Sequence, residues 1–265
     1  MVLIGEGTYG KVYRPPHKCN GVTVRTKNTV GKVFKYPDDF EEELSIVRKV
    51  EAVNSKHVFS IPFYEACPEN LQLIYADGGM DLYDYMSSHS RRKFMSILKQ
   101  FKYVCMGISM LSKKRYVHQD IKVENLVYNG KRLFLIDFGL MTRDPYADRY
   151  MLKQDYIVFP PEYKHYVYGK KCSSYVFKNF TNMNILGTIK SIYPEYKTDL
   201  ENIRSYPHDK IDVYSLGIVL VILYKWSGVN NKQVEQLIRG MICFDPAKRW
   251  SAEAASQFIS DKFYV

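Results

Sequence analysis

The sequence predicts an α+β chain of two unequal lobes, a small antiparallel β-sheet with one helix followed by a larger, mainly helical part. Three observations carry that expectation. The first 80 residues alternate apolar and polar positions over Lys11–Tyr13, Gly31–Tyr36 and Leu71–Tyr75, the two-residue period of half-buried strands. One stretch there, Asp38 to about Val53, instead places Phe40, Leu44, Val47 and Val50 at helical spacing. From Asp81 onward, helical patterns take over across Arg92–Lys114, Lys210–Trp226, Lys232–Cys243 and Ser251–Ser260.

Each element has a local reason. Pro15-Pro16 cannot pair inside a sheet, so the first strand pair ends before them. Asn125–Tyr128 and Leu133–Ile136 read as short strands around an Asn129-Gly130 turn, the dipeptide that tolerates positive φ. Between Pro161 and Asp209 the chain is rich in Tyr, Lys and Asn without clear periodicity, which predicts a loop-rich insertion at about 163–208.

Bulk properties exclude several classes. With 265 residues, 46% hydrophobic and 25% charged, the chain is neither disordered nor dependent on disulfides or metals for a core. Its 38 basic and 28 acidic residues leave a net charge of +10, compatible with an acidic substrate, a nucleic acid, an anionic membrane or a solvated basic surface. No basic helix motif or aromatic stacking platform accompanies that charge, so nucleic acid is not expected as the main ligand. Cys19, Cys67, Cys105, Cys172 and Cys243 show no paired or zinc-like spacing, so free thiols in a reducing, intracellular compartment, cytoplasmic or nuclear, are expected. Leu216–Tyr224 is too short for a membrane span, and the opening residues lead into Gly5 and Gly10 rather than a leader pattern.

Chemistry is concentrated in a few motifs. Ile4-Gly5-Glu6-Gly7-Thr8-Tyr9-Gly10-Lys11-Val12 lets backbone N–H groups approach phosphate oxygens unhindered, and the strand pattern continuing through Tyr13 favours a phosphate-covering hairpin over a dinucleotide fold. Lys35, ending the apolar strand Gly31–Lys35, is the expected phosphate-binding cation, and Glu43 is its expected helix partner ahead of Glu42 and Glu51. Val117-His118-Gln119-Asp120-Ile121-Lys122-Val123-Glu124-Asn125 is followed closely by Asp137-Phe138-Gly139.

This ordered set resembles the eukaryotic protein kinase family, with its H-R-D-x-x-x-x-N catalytic loop and D-F-G metal motif. Phe159-Pro160-Pro161-Glu162, Asp212–Gly217 and Asp245-Pro246-Ala247-Lys248-Arg249 extend the likeness over nearly the whole chain. The resemblance implies one bilobal kinase domain over 1–265, divided at about Gly79. It also implies ATP and Mg2+ as cofactors and transfer of the γ-phosphoryl group to a protein hydroxyl. Asp120 would orient the substrate hydroxyl, Lys122 would meet the γ-phosphate, and Asn125 and Asp137 would hold magnesium. Lys122, two residues after Asp120, matches the serine/threonine branch. In the same register Ile4, Gly5, Gly7, Gly10, Val12, Val33, Val127 and either Tyr75 or Ile74 as gatekeeper would enclose the nucleotide. Ala76–Gly79 would form the hinge, and Asp81 would reach the ribose. Glu162 and Arg249 would form a buried ion pair.

The departures from the family are as informative. Gln119 replaces the arginine that receives an activation-loop phosphate, so activity independent of such phosphorylation is expected. Val33 would stand where the family prefers alanine, and the short Lys35–Glu43 interval implies a helix lacking its first turns. The usual threonine before Glu162 is absent, with Asp155 and Tyr156 nearby. Few residues separate Trp226 from Asp245, too few for the usual substrate-docking helix. Lys164, Lys170, Lys171, Lys178 and Lys190 in the insertion suggest an acidic protein substrate docking there instead. The compact, tyrosine-rich pattern also looks like kinases of large DNA viruses. The alternative reading is a pseudokinase or nucleotide-binding scaffold, against which Lys35, Asp120 and Asp137 all stand.

Overall fold

The computed structural model describes residues 1–265 except 8–9, 21–27, 154–155, 157, 169–184, 197–206 and 265. Its amino-terminal sheet contains β1 (Val2–Glu6), β2 (Gly10–Arg14), β3 (Thr29–Phe34), β4 (Phe63–Cys67) and β5 (Gln72–Ala76). These strands lie in the order β1-β2-β3-β5-β4, and every neighbouring pair is antiparallel. Helix α1 (Pro37–Val53) starts with Pro at its first turn, where a missing N–H costs nothing, and follows with Asp38 and Asp39 at its positive end. Its apolar stripe, Phe40, Leu44 and Val47, packs with Phe34 and Leu73 as the small core of this lobe.

A second sheet, β6 (Met80–Asp81), β7 (Leu126–Tyr128) and β8 (Leu133–Leu135), floors the cleft beneath the first. The turn between β7 and β8 carries Gly130 at φ 89, and the Asn129 side chain accepts from the amides of Lys131 and Arg132. The turn spans 129–132, and β8 begins at Leu133 as expected.

The helices of the larger lobe are α2 (Leu82–Ser88), α3 (Phe94–Lys113), α4 (Arg149–Lys153), α5 (Pro161–Tyr168), α6 (Ile185–Ile192), α7 (Ile211–Ser227), α8 (Lys232–Met241) and α9 (Ala252–Phe263). Helix α7 is apolar all round because it is the hub of the lobe, buried from Ile211 to Tyr224. Gly107 on α3 and Gly240 on α8 admit Phe59 and Trp250 where a Cβ would lie 2.2 Å and 2.3 Å from those rings. No helix among the described residues is long and apolar enough to cross a membrane. The fold is thus the α+β, two-lobed one expected.

Within the insertion, α6 packs Ile185, Ile189 and Ile192 inward against α7 and α8, and Arg239 donates to the Ile192 carbonyl at 2.5 Å. Helix α8 follows α7 after only 228–231, so α6 covers a flank of α7 and α8. Of the lysines expected to dock a partner, Lys164 is instead buried and donates to the Lys153 carbonyl at 2.6 Å. Lys190 is exposed, while Lys170, Lys171 and Lys178 lie outside the described residues.

The cysteine expectation is corrected. Cys19 and Cys67 form a disulfide across 48 residues, tying the chain after Pro15-Pro16 to the end of β4. Sequence spacing cannot reveal such a pair, because the two residues meet only once β2 through β5 assemble into one sheet. Around it the Gln72 side chain bonds both backbone groups of His17, and Asn70 donates to the Lys18 carbonyl. Cys105 and Cys243 are free thiols, the former buried with its pKa pushed up to about 12 by desolvation.

Candidate active site

The two lobes enclose a cleft of about 1750 Å³. Its roof is β1 and β2. Gly7 N donates to Gly10 O at 2.9 Å and closes the hairpin, and a Cβ on Gly10 would meet the Val33 carbonyl at 2.5 Å. Gly5 and Gly7 have no such obstruction from the protein, so their backbone stands open to a ligand from below. Ile4, Gly5, Gly7, Gly10, Val12, Tyr75, Asp81 and Val127 all line the cleft, as expected. Thr8 and Tyr9 lie outside the described residues.

The expected strand cation is corrected from Lys35 to Lys32. Strand β3 ends at Phe34, and Lys35 is exposed beyond it with its ammonium 5.0 Å from the Tyr36 ring. Lys32 donates to Glu43 Oε1 at 2.9 Å and lies 3.9 Å from Asp137 Oδ1. Strand alternation explains the correction, since positions of even number in β3 face the cleft and α1. Val33 for the same reason is not a lining residue, and Val30, two residues before the cation, takes the place expected of it. Counting from Lys32, α1 is not truncated, because Glu43 sits in its second turn. Val30-Gly31-Lys32 and Val33-Phe34-Lys35 both read hydrophobic-x-Lys, so no local signal separates the two lysines.

Between Ile74 and Tyr75 the structure selects Tyr75 for the back of the cleft. Ile74 is fully buried on the other face, whereas the Tyr75 hydroxyl is pushed well above its ordinary pKa by burial and by the carboxylates of Glu43, Asp137 and Glu51.

Below, the His118–Asn125 loop is held by a buried carboxylate. Asp212, at the start of α7, accepts from the amides of His118 at 2.8 Å and Gln119 at 3.0 Å. Burial raises its pKa, against the opposing pull of His118 and those amides. Gln119 has φ 68, in the left-handed region, as does Asp137 at φ 59. Such conformations persist only where surrounding bonds impose them. The buried Gln119 amide donates to the Pro145 carbonyl at 2.9 Å and to the Tyr163 hydroxyl at 2.8 Å.

The reactive groups converge beside that anchor. Asp120 Oδ2 accepts from Lys122 Nζ at 2.8 Å and from Asn125 Nδ2 at 2.8 Å. Burial lowers the Lys122 pKa, but the hydrogen bond and charge of Asp120, together with the charges of Glu124 and Asp137, outweigh it and raise the pKa. Asn125 Nδ2 also donates to the Asp120 carbonyl, so Asn125 Oδ1 remains a hard oxygen ligand alongside the Asp137 carboxylate. Both residues line the cleft, and this donor set fits a magnesium ion.

Farther back, Arg249 and Glu162 form the expected ion pair, bidentate at 2.7 Å and 2.9 Å with both side chains fully buried. The expected catalytic-loop, metal and helix acid residues are therefore brought together, with Lys32 replacing Lys35. The family model for the protein kinase domain matches residues 1–227, from β1 to the end of α7. On that match, and with this cleft, the chain belongs to the protein kinase family.

Proposed function

We propose that this kinase uses ATP and Mg2+ to phosphorylate serine or threonine hydroxyls of proteins, with Asp120 as the residue that orients the acceptor. The observation that carries the reading is the convergence on one cleft of Lys32 with Glu43, Asp120 with Lys122 and Asn125, and Asp137. Magnesium, when bound, neutralises charge on the phosphate oxygens. Asn125 Oδ1 and Asp137 would hold it, and Lys32, kept in place by Glu43, presents a cation to the phosphates. Lys122 supplies a second cation beside the acceptor, and Asp120 accepts the hydroxyl proton as the oxygen becomes a nucleophile. The serine/threonine assignment rests on Lys122 two residues after Asp120.

Gln119 supports activity without activation-loop phosphorylation. Its neutral amide ties the loop to Pro145 and Tyr163, a connection that an arginine would otherwise make through a phosphate. An acidic protein substrate is suggested by the net charge of +10, while the Cys19–Cys67 disulfide removes the free-thiol argument for an intracellular location. The test is γ-phosphate transfer to a serine-containing acidic protein by wild type and Asp120→Asn. A signal confined to wild type, and unchanged by prior phosphatase treatment, is expected. Equal transfer by both proteins would overturn the role of Asp120, and loss on phosphatase treatment would overturn phosphate independence.

A further inference from the structure

An ion pair stands at the outer lip of the cleft. Arg14, the last residue of β2, presents its guanidinium edge to Asp77, with Nη2 to Oδ1 at 2.8 Å and Nε to Oδ2 at 2.7 Å. Both residues line the cleft. The contact is a two-point fork, the geometry that makes arginine a rigid strap where lysine would be a mobile point charge.

Asp77 is more than an ion-pair partner. Its amide donates to the Asn28 carbonyl at 2.9 Å, just before β3, and its Oδ1 also accepts from Gly79 N at 3.0 Å. Gly79, at φ 89, presses so closely on the floor that a Cβ would lie 2.4 Å from the Tyr128 carbonyl. Asp77 thus joins the roof strand β2, the entry to β3 and the floor sheet through one side chain and one amide. Val12, two residues before Arg14 on the same face of β2, and Val127 in the floor bound the slot that this node closes.

We propose that Arg14 and Asp77 are positioning residues for the nucleotide: their fork fixes the height of the β2 roof over the base and so sets nucleotide affinity. The inference rests on the reading of this cleft as a nucleotide site. Two of Arg14's five N–H donors are engaged by Asp77, and the guanidinium lies at the mouth where a ribose or base edge enters.

The experiment measures ATP–Mg2+ dissociation constants by calorimetry, and KM and kcat for phosphate transfer, for wild type, Arg14→Met, Arg14→Lys and the exchange Arg14→Asp/Asp77→Arg. Arg14→Met is expected to weaken ATP and raise its KM by about three- to five-fold, as for loss of a partly exposed pair, with kcat at saturating ATP unchanged. Arg14→Lys should recover part of the affinity, and the exchange more than Arg14→Met does. Variants that lose thermal stability but bind ATP as wild type does would overturn the clasp. If wild type itself fails to bind ATP, the reading of the cleft falls, and the clasp with it.

Discussion

The two lobes hold their reacting groups by different means. In the large lobe Asp120 sits on a loop clamped by buried hydrogen bonds to Asp212, and α5 is locked to the segment between α8 and α9 by a fully buried Glu162–Arg249 fork. In the small lobe Lys32 stands on a five-stranded sheet whose buried core cluster, among the described residues, is Phe34, Phe40, Leu44, Val47 and Leu73 with a few partly buried neighbours. Its pair with Glu43 is partly exposed, and the disulfide and the Arg14–Asp77 fork add ties that the core does not provide. The large lobe therefore positions by burial, and the small lobe by discrete ties around a smaller core.

Substitutions can break or sharpen this contrast. The largest effect on stability is expected at Glu162→Ala, which strands the Arg249 guanidinium in the core and should cost about 3–5 kcal/mol in urea unfolding. Cys19→Ser, removing a tie across 48 residues, should cost about 2–4 kcal/mol, seen equally as a lower unfolding midpoint of wild type in reductant. Gln119→Ala should cost about 1–3 kcal/mol, because the Pro145 carbonyl and Tyr163 hydroxyl lose a buried donor. Lys32→Met should cost about 1 kcal/mol or less while lowering turnover roughly 100-fold or more. Lys35→Met, beyond the strand, should leave both nearly unchanged. If Lys32→Met were as destabilising as Glu162→Ala, the contrast between the lobes would fail; if Lys35→Met abolished turnover, the Lys32 assignment would fail.

Much of the site was legible because its residues are near neighbours in the chain. Asp120, Lys122 and Asn125 lie within one loop, and Asp137-Phe138-Gly139 follows after a short hairpin, so local order alone carries their relation. Glu43 was legible from its place on a helix whose apolar stripe is regular. The strand cation was not, because choosing between Lys32 and Lys35 depends on where β3 ends and which face meets α1. A strand's two faces exchange with each residue, so a boundary misjudged by one position reverses every side chain.

By itself, the sequence determined the two-lobed α+β architecture and the contiguous motifs around Asp120 and Asp137, which follow from periodicity and short spacing, both of which survive in one dimension. The pairing of Glu162 with Arg249, 87 residues apart, was expected only through the resemblance to the family. Only the tertiary structure decided that Lys32 rather than Lys35 meets Glu43, that Cys19 joins Cys67, that Gln119 grips Tyr163, and that Arg14 clasps Asp77. Each is a contact between strands, loops or helices distant in sequence. Its geometry is set by sheet register and lobe packing, which no local pattern encodes.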